Sequence, residues 1–191
     1  VMDADGGSVT RLTNTADHEG SPDWSPDGTR IAFDRLVDSG AGNYEVFTMD
    51  AGGGNETQLT NQTGIDADPA WSPDGATIAF QSTRSPHTSD LEIYSMDADG
   101  TDETRLTASG DSDTDPAWSP AGNQIVFRSR RTGAHRIYVM GADGTNPSPT
   151  AITDGTNDAH PTWAPDDSYI AFRRSDDGDA EIWLVSTEGE F

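Results

Sequence analysis

The chain has 191 residues, and its 34 acidic residues against 11 arginines and no lysine give a formal net charge of −23. Such a charge repels nucleic acids and anionic lipid surfaces, so neither is an expected partner. The absence of cysteine excludes disulfides and thiolate metal sites, and no apolar run approaches the ~20 residues that a membrane-spanning helix needs.

Residues 1–16 read as the end of a repeat, because Arg11-Leu12-Thr13 matches a later segment, Arg105-Leu106-Thr107. Four near-copies of a tryptophan segment follow, and the second reads Asp-Pro-Ala-Trp-Ser-Pro-Asp-Gly-Ala-Thr-Ile-Ala-Phe over residues 68–80. Spacings of 47, 47 and 45 residues separate the four tryptophans, which are Trp24, Trp71, Trp118 and Trp163. A fixed period in this range is typical of solenoids, propellers and arrays. We therefore treat residues 1–191 as a single repeat domain.

Each repeat predicts four short strands separated by turns, because β-branched and aromatic residues alternate with Pro, Asp and Gly. The first strand carries the tryptophan and ends in a Ser-Pro-Asp-Gly-type turn. The second strands are Ile31–Phe33, Ile78–Phe80, Ile125–Phe127 and Ile170–Phe172. The third strands are Tyr44–Met49, Leu91–Met96, Arg136–Met140 and Glu181–Val185. The fourth strands are Gln58–Thr60, Arg105–Thr107 and Ala151–Thr153. Four strands in about 46 residues, with no helical periodicity, predict an all-β propeller with one four-stranded blade per repeat.

The last repeat has no fourth strand after Val185, whereas a matching strand stands alone at residues 9–13. Pairing that N-terminal strand with Ile182–Val185 would complete the last blade, close a ring of four blades and cover two sheet edges. The alternative is one eight-bladed ring made by two chains. The chain is therefore predicted to be a monomer or a homodimer.

The succession of Asp-Pro-Ala-Trp-Ser-Pro-Asp-Gly, Ile-Ala-Phe, Glu-Ile-Tyr-Ser-Met-Asp-Ala-Asp-Gly and Arg-Leu-Thr resembles the TolB-type, WD40-like (PD40) propeller repeat. The resemblance covers essentially the whole chain in four copies, although family members generally have six or more blades. It implies a protein-binding platform located in the periplasm or outside the cell. It also implies an alternative, because such propellers occur as domains of serine peptidases.

A carboxylate stands five residues before each tryptophan. These candidate metal ligands are Glu19, Asp66, Asp113 and Asp158. Equivalent positions of a propeller surround its axis, so we expect the four side chains to converge near one mouth of the channel. Oxygen-rich sites of this kind suit calcium or magnesium. The alternative is that the carboxylates cap turns and face solvent.

Other motifs have a structural and a functional interpretation. Asp-Ala-Asp-Gly, at residues 3–6 and 97–100, is explained by a hairpin turn, and Asp111–Asp115 is a denser acidic run that could bind a cation. The tryptophans are interpreted as packing between blades rather than as ligand-stacking groups. The only basic cluster, Arg128, Arg130, Arg131 and Arg136, either balances local acid or binds an anionic group of a partner.

No Gly-x-Ser-x-Gly or His-Glu-x-x-His motif occurs, and the four histidines are scattered. The sequence therefore predicts a non-enzymatic scaffold that binds a protein or peptide, with a cation possible at the mouth. The alternative is a propeller domain or fragment of a larger peptidase-type enzyme.

Overall fold

The computed structural model describes residues 1–2, 5–84, 90–145, 151–176 and 178–187. In this part of the chain every regular element is a β-strand, and the strands form four antiparallel sheets. No helix in these residues has both the length and the apolar composition needed to cross a membrane. The predicted all-β architecture is therefore confirmed.

The first two sheets have four strands each, paired in sequence order. The first sheet contains β1 (Glu19–Trp24), β2 (Arg30–Asp38), β3 (Asn43–Asp50) and β4 (Thr57–Gln58). The second sheet contains β5 (Asp66–Trp71), β6 (Thr77–Ser82), β7 (Glu92–Asp97) and β8 (Thr104–Arg105). The two sheets are thus complete copies of one supersecondary unit.

The third and fourth sheets have three strands each in the described residues. The third contains β9 (Asp113–Trp118), β10 (Gln124–Ser129) and β11 (Arg136–Gly141). The fourth contains β12 (Asp158–Trp163), β13 (Tyr169–Arg174) and β14 (Glu181–Ser186). The predicted strand at residues 151–153 is not assigned as regular structure. The chain still runs beside β11 there, because the Ile152 N–H donates to the Ile137 carbonyl at 2.9 Å.

The turn between the first two strands of each sheet depends on a residue that accepts a positive φ. In the first sheet Gly28 has φ 70° and donates its N–H to the Ser25 carbonyl at 2.9 Å. In the fourth sheet Asp167 occupies the glycine position with φ 61°, and its N–H donates to Ala164 at 3.1 Å. The departures from Ser-Pro-Asp-Gly in the sequence therefore leave the turn intact.

Apolar cores lie between consecutive sheets, because each sheet presents alternate residues of its second and third strands to each neighbour. The core between the first and second sheets includes Ala32, Val46, Trp71, Ile78 and Phe80. The next two cores include, in turn, Ala79, Ile93, Ile125, Phe127 and Tyr138, and then Val126, Ile137, Ile170 and Phe172. The repeat thus packs each sheet face to face on the next.

The predicted closure by the N-terminal strand is wrong for this structure. Residues 9–13 form no strand, and Leu12 packs on the core face of the first sheet. A Cβ at Gly53 would lie 2.8 Å from the Leu12 carbonyl oxygen. The same approach recurs in the next two sheets, where a Cβ at Gly100 would lie 2.9 Å from the Leu59 oxygen and one at Gly144 would lie 3.0 Å from the Leu106 oxygen. β14 pairs with β13 alone, and no described strand of the fourth sheet contacts one of the first sheet. The four sheets are therefore not closed into a ring. Leu12 packs on the first sheet, and β14 belongs to the fourth.

Candidate functional site

A cavity of about 400 Å³, here called the mouth cavity, lies where the first strands of the four sheets come together. Each first strand contributes the polar residue that stands three positions before its tryptophan. These four mouth residues are Ser21, Asp68, Asp115 and His160. The structure therefore brings together the residues three positions before the tryptophans, rather than the carboxylates five positions before them.

A β-bulge directs each mouth residue into the cavity. In the second sheet, for example, the register between β5 and β6 shifts between Ala67 and Ala70. The φ angles of the four mouth residues, in chain order, are 46°, 50°, 55° and 50°. Such angles are uncommon for residues other than glycine, and a bulge with this geometry redirects a side chain. Their recurrence in all four sheets shows that the mouth is built by the repeat itself.

The mouth residues are joined in two pairs across neighbouring sheets. The Ser21 hydroxyl donates to Oδ1 of Asp68. The His160 backbone N–H donates to Oδ2 of Asp115 at 3.0 Å, and its ring Nδ1 lies 3.6 Å from the same oxygen. The first and second sheets are thus linked through one carboxylate, and the third and fourth through another.

The side of the mouth formed by the first two sheets holds carboxyl groups that resist ionisation. Burial raises the pKa of Asp68, and the charges of Asp115 and Asp34 raise it further against the Ser21 hydrogen bond. Burial also raises the pKa of Asp23, although its Oδ2 accepts the Trp71 N–H at 2.7 Å. Negative charge on this side is therefore costly.

The four carboxylates predicted to converge on the axis lie instead in four separate ion pairs, one within each sheet. The pairs and their N–O distances are Glu19–Arg35 at 2.5 Å, Asp66–Arg84 at 2.6 Å, Asp113–Arg131 at 2.9 Å and Asp158–Arg174 at 2.7 Å. The expected convergence is wrong, because each carboxylate points into its own sheet, where a guanidinium neutralises it.

Each of these arginines also covers two aromatic rings, one from the second strand and one from the third. The ring pairs, in sheet order, are Phe33 with Phe47, Phe80 with Tyr94, Phe127 with Tyr138, and Phe172 with Trp183. The guanidinium carbons lie 4.7–5.3 Å from the ring centroids, a geometry that allows cation–π attraction.

Sequence reasoning missed these arginines because their spacing varies. They follow the repeat tryptophan by 11 residues in the first and fourth repeats and by 13 in the other two. The usable signal was an arginine two or four positions after the phenylalanine of every second strand.

Burial and hydrogen bonding oppose each other within the ion pairs. Burial raises the pKa of Asp66, while hydrogen bonds from Ser82 and Arg84 act to lower it. The pKa of Arg174 is raised, because its guanidinium donates to both oxygens of Asp158 at 2.7 and 3.0 Å. Removing an arginine would therefore leave an uncompensated buried carboxylate.

The calcium or magnesium site stays a prediction. Within the described ranges, no three His, Asp or Glu side chains lie close enough together to hold a metal ion. An ion at any of the four predicted carboxylates would have to compete with an arginine for its oxygens.

The acidic turn motifs have structural partners. Asp99 and Asp143 each accept the N–H of the threonine two residues later, at 3.0 and 2.9 Å. In the run 111–115, Asp113 binds Arg131, and Asp115 accepts from His160. The first copy of the motif, at residues 3–6, includes positions outside the described residues. These turns therefore follow the structural interpretation.

Three of the four repeat tryptophans pack between sheets, as predicted. Trp71 is 7% exposed, and the indole N–H groups of Trp118 and Trp163 donate to carbonyls of the preceding sheet at 3.1 and 3.2 Å. Trp24 is 45% exposed, because no sheet precedes the first one in the structure.

The predicted basic cluster divides into two groups. Arg131 binds Asp113, and Arg136 donates to the Gly155 carbonyl at 2.9 Å. Arg128 and Arg130 take part in neither contact, and Arg128 lies on the opposite face of β10 from Phe127, toward the fourth sheet.

Comparison with solved structures places this chain among TolB propellers. TolB from Acinetobacter baumannii is 25% identical, with a TM-score of 0.84 over all of this chain and 46% of that one. A protein of Agrobacterium tumefaciens assigned as TolB is 23% identical, with a TM-score of 0.74 over 94% of this chain and 81% of that one. The chain thus spans about half the length of the Acinetobacter protein.

An enzyme shares the fold as well. A puromycin-hydrolyzing peptidase from Mycobacterium tuberculosis is 14% identical, with a TM-score of 0.69 over 90% of this chain and 29% of that one. At this identity the likeness concerns the fold alone. No curated protein matches the chain.

The family described as "TolB beta propeller domain" matches residues 1–191, the whole chain. The tryptophan repeats, the four-stranded sheets and this match agree. The chain therefore belongs to the TolB beta propeller domain family.

Proposed function

We propose that this chain is a non-catalytic scaffold that binds a protein or peptide segment in the mouth cavity. One observation carries the proposal: four equivalent bulges direct four different polar residues into one cavity of about 400 Å³. The positive φ angles of the four mouth residues cost stability, and their recurrence at the mouth cavity supports a functional role for this cavity. Different side chains on identical backbone positions support selective recognition.

The hydrogen bonds at the mouth support binding over catalysis. A serine, two aspartates and a histidine meet there, which are residue types used by nucleophilic enzymes. The Ser21 hydroxyl, however, donates to Asp68 rather than to the histidine. A serine nucleophile of the Ser–His–Asp type needs the histidine as the base that accepts its proton, and here the histidine lies against Asp115 in the other pair.

The named relatives support a location outside the cytoplasm and a protein partner. The two TolB structures are the basis for proposing a periplasmic or extracellular place for this chain. The net charge of −23 supports the proposal that nucleic acid and membrane lipid are not partners. The oligomeric state, monomer or homodimer, stays a prediction.

Selection of peptides from a random phage-displayed library against the immobilised chain tests the proposal. Thr162 is exposed and lines the cavity, so Thr162→Phe fills the mouth with a bulky neutral side chain. Thr57→Phe is the matched control, because Thr57 is exposed on β4, away from the cavity. We expect selected peptides to bind the parent and the control and to lose binding to Thr162→Phe. Selection of no peptide, or of peptides indifferent to Thr162→Phe, would overturn the proposal.

The second candidate is a propeller domain of a larger peptidase-type enzyme. The shared fold with the mycobacterial peptidase, of which this chain matches 29%, favours it. Sequencing the gene on both sides of the repeats tests it, because a hydrolase motif in the same reading frame would support the enzyme and remove the non-catalytic assignment from the whole protein.

A further inference from the structure

One position beside the mouth cavity changes from acidic to basic along the chain. It is the residue after the phenylalanine of each second strand, and it pairs with the residue just before the bulge of the first strand. Its four occupants are Asp34, Gln81, Arg128 and Arg173, and their partners across the ladder are Gly20, Ala67, Thr114 and Ala159. Each occupant therefore lies next to a mouth residue.

In the first two sheets this position accepts a hydrogen bond from the bulge of the following sheet. Asp34 Oδ2 accepts the Asp68 N–H, and Gln81 Oε1 accepts the Asp115 N–H, both at 3.3 Å. Arg128 has no acceptor to offer the bulge of the fourth sheet, because a guanidinium only donates. The His160 N–H bonds to Asp115 instead. The arginine thus gives up a contact that the repeat provides elsewhere.

Arg128 and Arg173 also lack partners of their own. The Nε atom of each is buried and has no hydrogen-bond partner, and no ion pair involves either side chain in the part of the chain that the structure describes. Five other arginines bind carboxylates, namely Arg35, Arg84, Arg105, Arg131 and Arg174. In a chain with 34 acidic residues, two buried Nε donors without an acceptor are costly and favour a ligand that supplies one.

The surroundings of these guanidiniums are positive. Burial lowers the pKa of Arg128, and the charges of Arg173 and Arg130 lower it further against the attraction of Asp115. Burial also lowers the pKa of His135, with the charges of Arg128 and Arg130 adding to the shift. Among the described residues, Asp115 is the carboxylate whose charge opposes this repulsion, and it already accepts the His160 N–H. Positive charge on this side of the mouth therefore remains uncompensated.

We propose that Arg128 and Arg173 bind a carboxylate of an acidic peptide segment held in the mouth cavity. This inference rests on the proposed function and names the chemistry of the ligand. Guanidinium groups bind carboxylates through charge-assisted hydrogen bonds, and burial strengthens them. Arg128 pairs with Thr114 and Arg173 with Ala159, each one residue before a mouth residue, and the proposal places the carboxylate of a peptide in the cavity within reach of both guanidiniums.

A single carboxylate fits this site better than a polyanion. The net charge of −23 repels ligands with many negative charges, and the opposite side of the mouth holds Asp34 and Asp68. A peptide with one acidic side chain directed at the third and fourth sheets avoids both penalties.

The test uses N-acetyl-aspartate amide as the probe and N-acetyl-asparagine amide as its neutral match, at constant ionic strength. The readout is the NMR signals of the arginine Nε–H groups. We expect those of Arg128 and Arg173 to shift saturably with the aspartate probe, with a dissociation constant on the order of 1 mM for so small a ligand. The asparagine probe should leave them unchanged.

The variants Arg128→Gln and Arg173→Gln should each weaken the aspartate probe about tenfold or more, because a charge-assisted pair is lost. Arg11→Gln is the charge-matched control, since Arg11 is exposed and away from the mouth, and it should bind like the parent. The melting temperature of Arg128→Gln should not fall. Weaker binding by this variant would then come from the lost guanidinium and not from unfolding.

The outcomes separate this inference from the proposed function. Equal shifts with both probes, shifts spread over all arginines, or tighter binding of inorganic phosphate than of the aspartate probe would overturn the carboxylate site. If library peptides require an open mouth but bind Arg128→Gln unchanged, the carboxylate site is wrong and the scaffold stands. If the aspartate probe binds through both arginines but no peptide enters the mouth, the scaffold proposal is wrong.

Discussion

Equivalent positions on the third strands of the second and fourth sheets have opposite surroundings. Ile93 in β7 pairs with Gln81, and Ile182 in β14 pairs with Arg173 in the same register. Ile93 is 0% exposed, whereas Ile182 is 78% exposed. The local sequence and the strand pairing are alike, so the difference comes from the next sheet, which covers Ile93 and is missing beside Ile182.

This comparison shows that a repeat specifies strands and register by itself but acquires its core from a neighbour. The effect is confined to one face of the fourth sheet. Ile170 and Phe172 point toward the third sheet and are buried, whereas Ile182 and Leu184 point away from it and are exposed. Stability in such a chain is close to a sum of contacts between neighbouring sheets.

Mutations in the ion pairs should give the largest losses of stability. These losses should be alike in the third and fourth sheets, because both ion pairs are buried. Arg131 and Arg174 have similarly low exposure, 14% and 12% of the side chain, and their partner carboxylates are fully buried. Breaking a buried pair on one side costs about 4 kcal/mol. We expect Arg131→Gln and Arg174→Gln each to lower the free energy of unfolding in urea by about that amount. Arg11→Gln is the control. A cost below about 1 kcal/mol for Arg174→Gln alone would extend the difference between the sheets to both faces.

Truncation of the two isoleucines tests the difference between the second and fourth sheets most directly. Ile93→Ala removes a fully buried side chain and should cost about 3 kcal/mol, whereas Ile182→Ala should cost less than about 0.5 kcal/mol. Urea denaturation of both variants, with Val46→Ala as a second buried site, measures the difference. Equal costs for Ile93→Ala and Ile182→Ala would mean that something covers β14 in solution.

The mouth should show a pH-dependent version of the same contrast. The raised pKa of Asp68 means that its contribution to stability is fully present below the unfolded pKa, near 3.8, and is lost as the pH rises through the folded pKa. Asp68→Asn cannot ionise, so we expect it to raise the melting temperature at pH 7 by roughly 2–4 °C, as about 1 kcal/mol does in a chain of this size.

The gain of Asp68→Asn over the parent should shrink toward zero as the pH falls to 4. His160→Asn changes the equivalent residue of the fourth sheet, whose side chain is 71% exposed, and should alter the melting temperature little at any pH. A gain for Asp68→Asn that is constant between pH 4 and 7 would contradict the assigned cause.

The turns offer a smaller effect. Asp167 holds φ 61° where the other three sheets have glycine, and its Oδ1 atom is buried with no hydrogen-bond partner among the described residues. We expect Asp167→Gly to stabilise the chain by about 1 kcal/mol, because glycine adopts this conformation without a steric penalty. Gly75→Asp, the reverse change in the second sheet, should destabilise it. Thermal unfolding of both variants tests the pair, and a loss of stability in Asp167→Gly would show that the carboxylate makes a favourable contact.

The predicted calcium or magnesium site should give the smallest effect. Each of the four carboxylates already has an arginine, so an ion must displace a guanidinium in every sheet alike. We expect millimolar calcium or magnesium to leave the melting temperature nearly unchanged after chloride is matched. A clear rise of the melting temperature with calcium or magnesium, abolished by Asp66→Asn, would support the predicted metal site.

The architecture was largely predictable from local patterns. The second and third strands matched because β-branched and aromatic runs are bounded by Pro, Asp and Gly. The mouth was only partly predictable. Residues three and five positions before the tryptophan both recur, and which set faces the cavity depends on a bulge. Its recurring signal, the proline after each mouth residue, is also compatible with an edge strand or a strand start. The arginines that pair with Glu19 and Asp66 were not predicted, because Arg35 follows the second-strand phenylalanine by two residues and Arg84 follows it by four.

The sequence by itself determined the period, the all-β class and the turn chemistry, because these depend on neighbours along the chain. Only the tertiary structure decided which carboxylates meet arginines and which residues face the mouth cavity. It also decided that Leu12 packs on the first sheet, whereas β14 pairs with β13 and with no other described strand. These outcomes depend on contacts between residues far apart in sequence, and equivalent repeats such as those of Ile93 and Ile182 differ only in whether a neighbouring sheet is there to bury them.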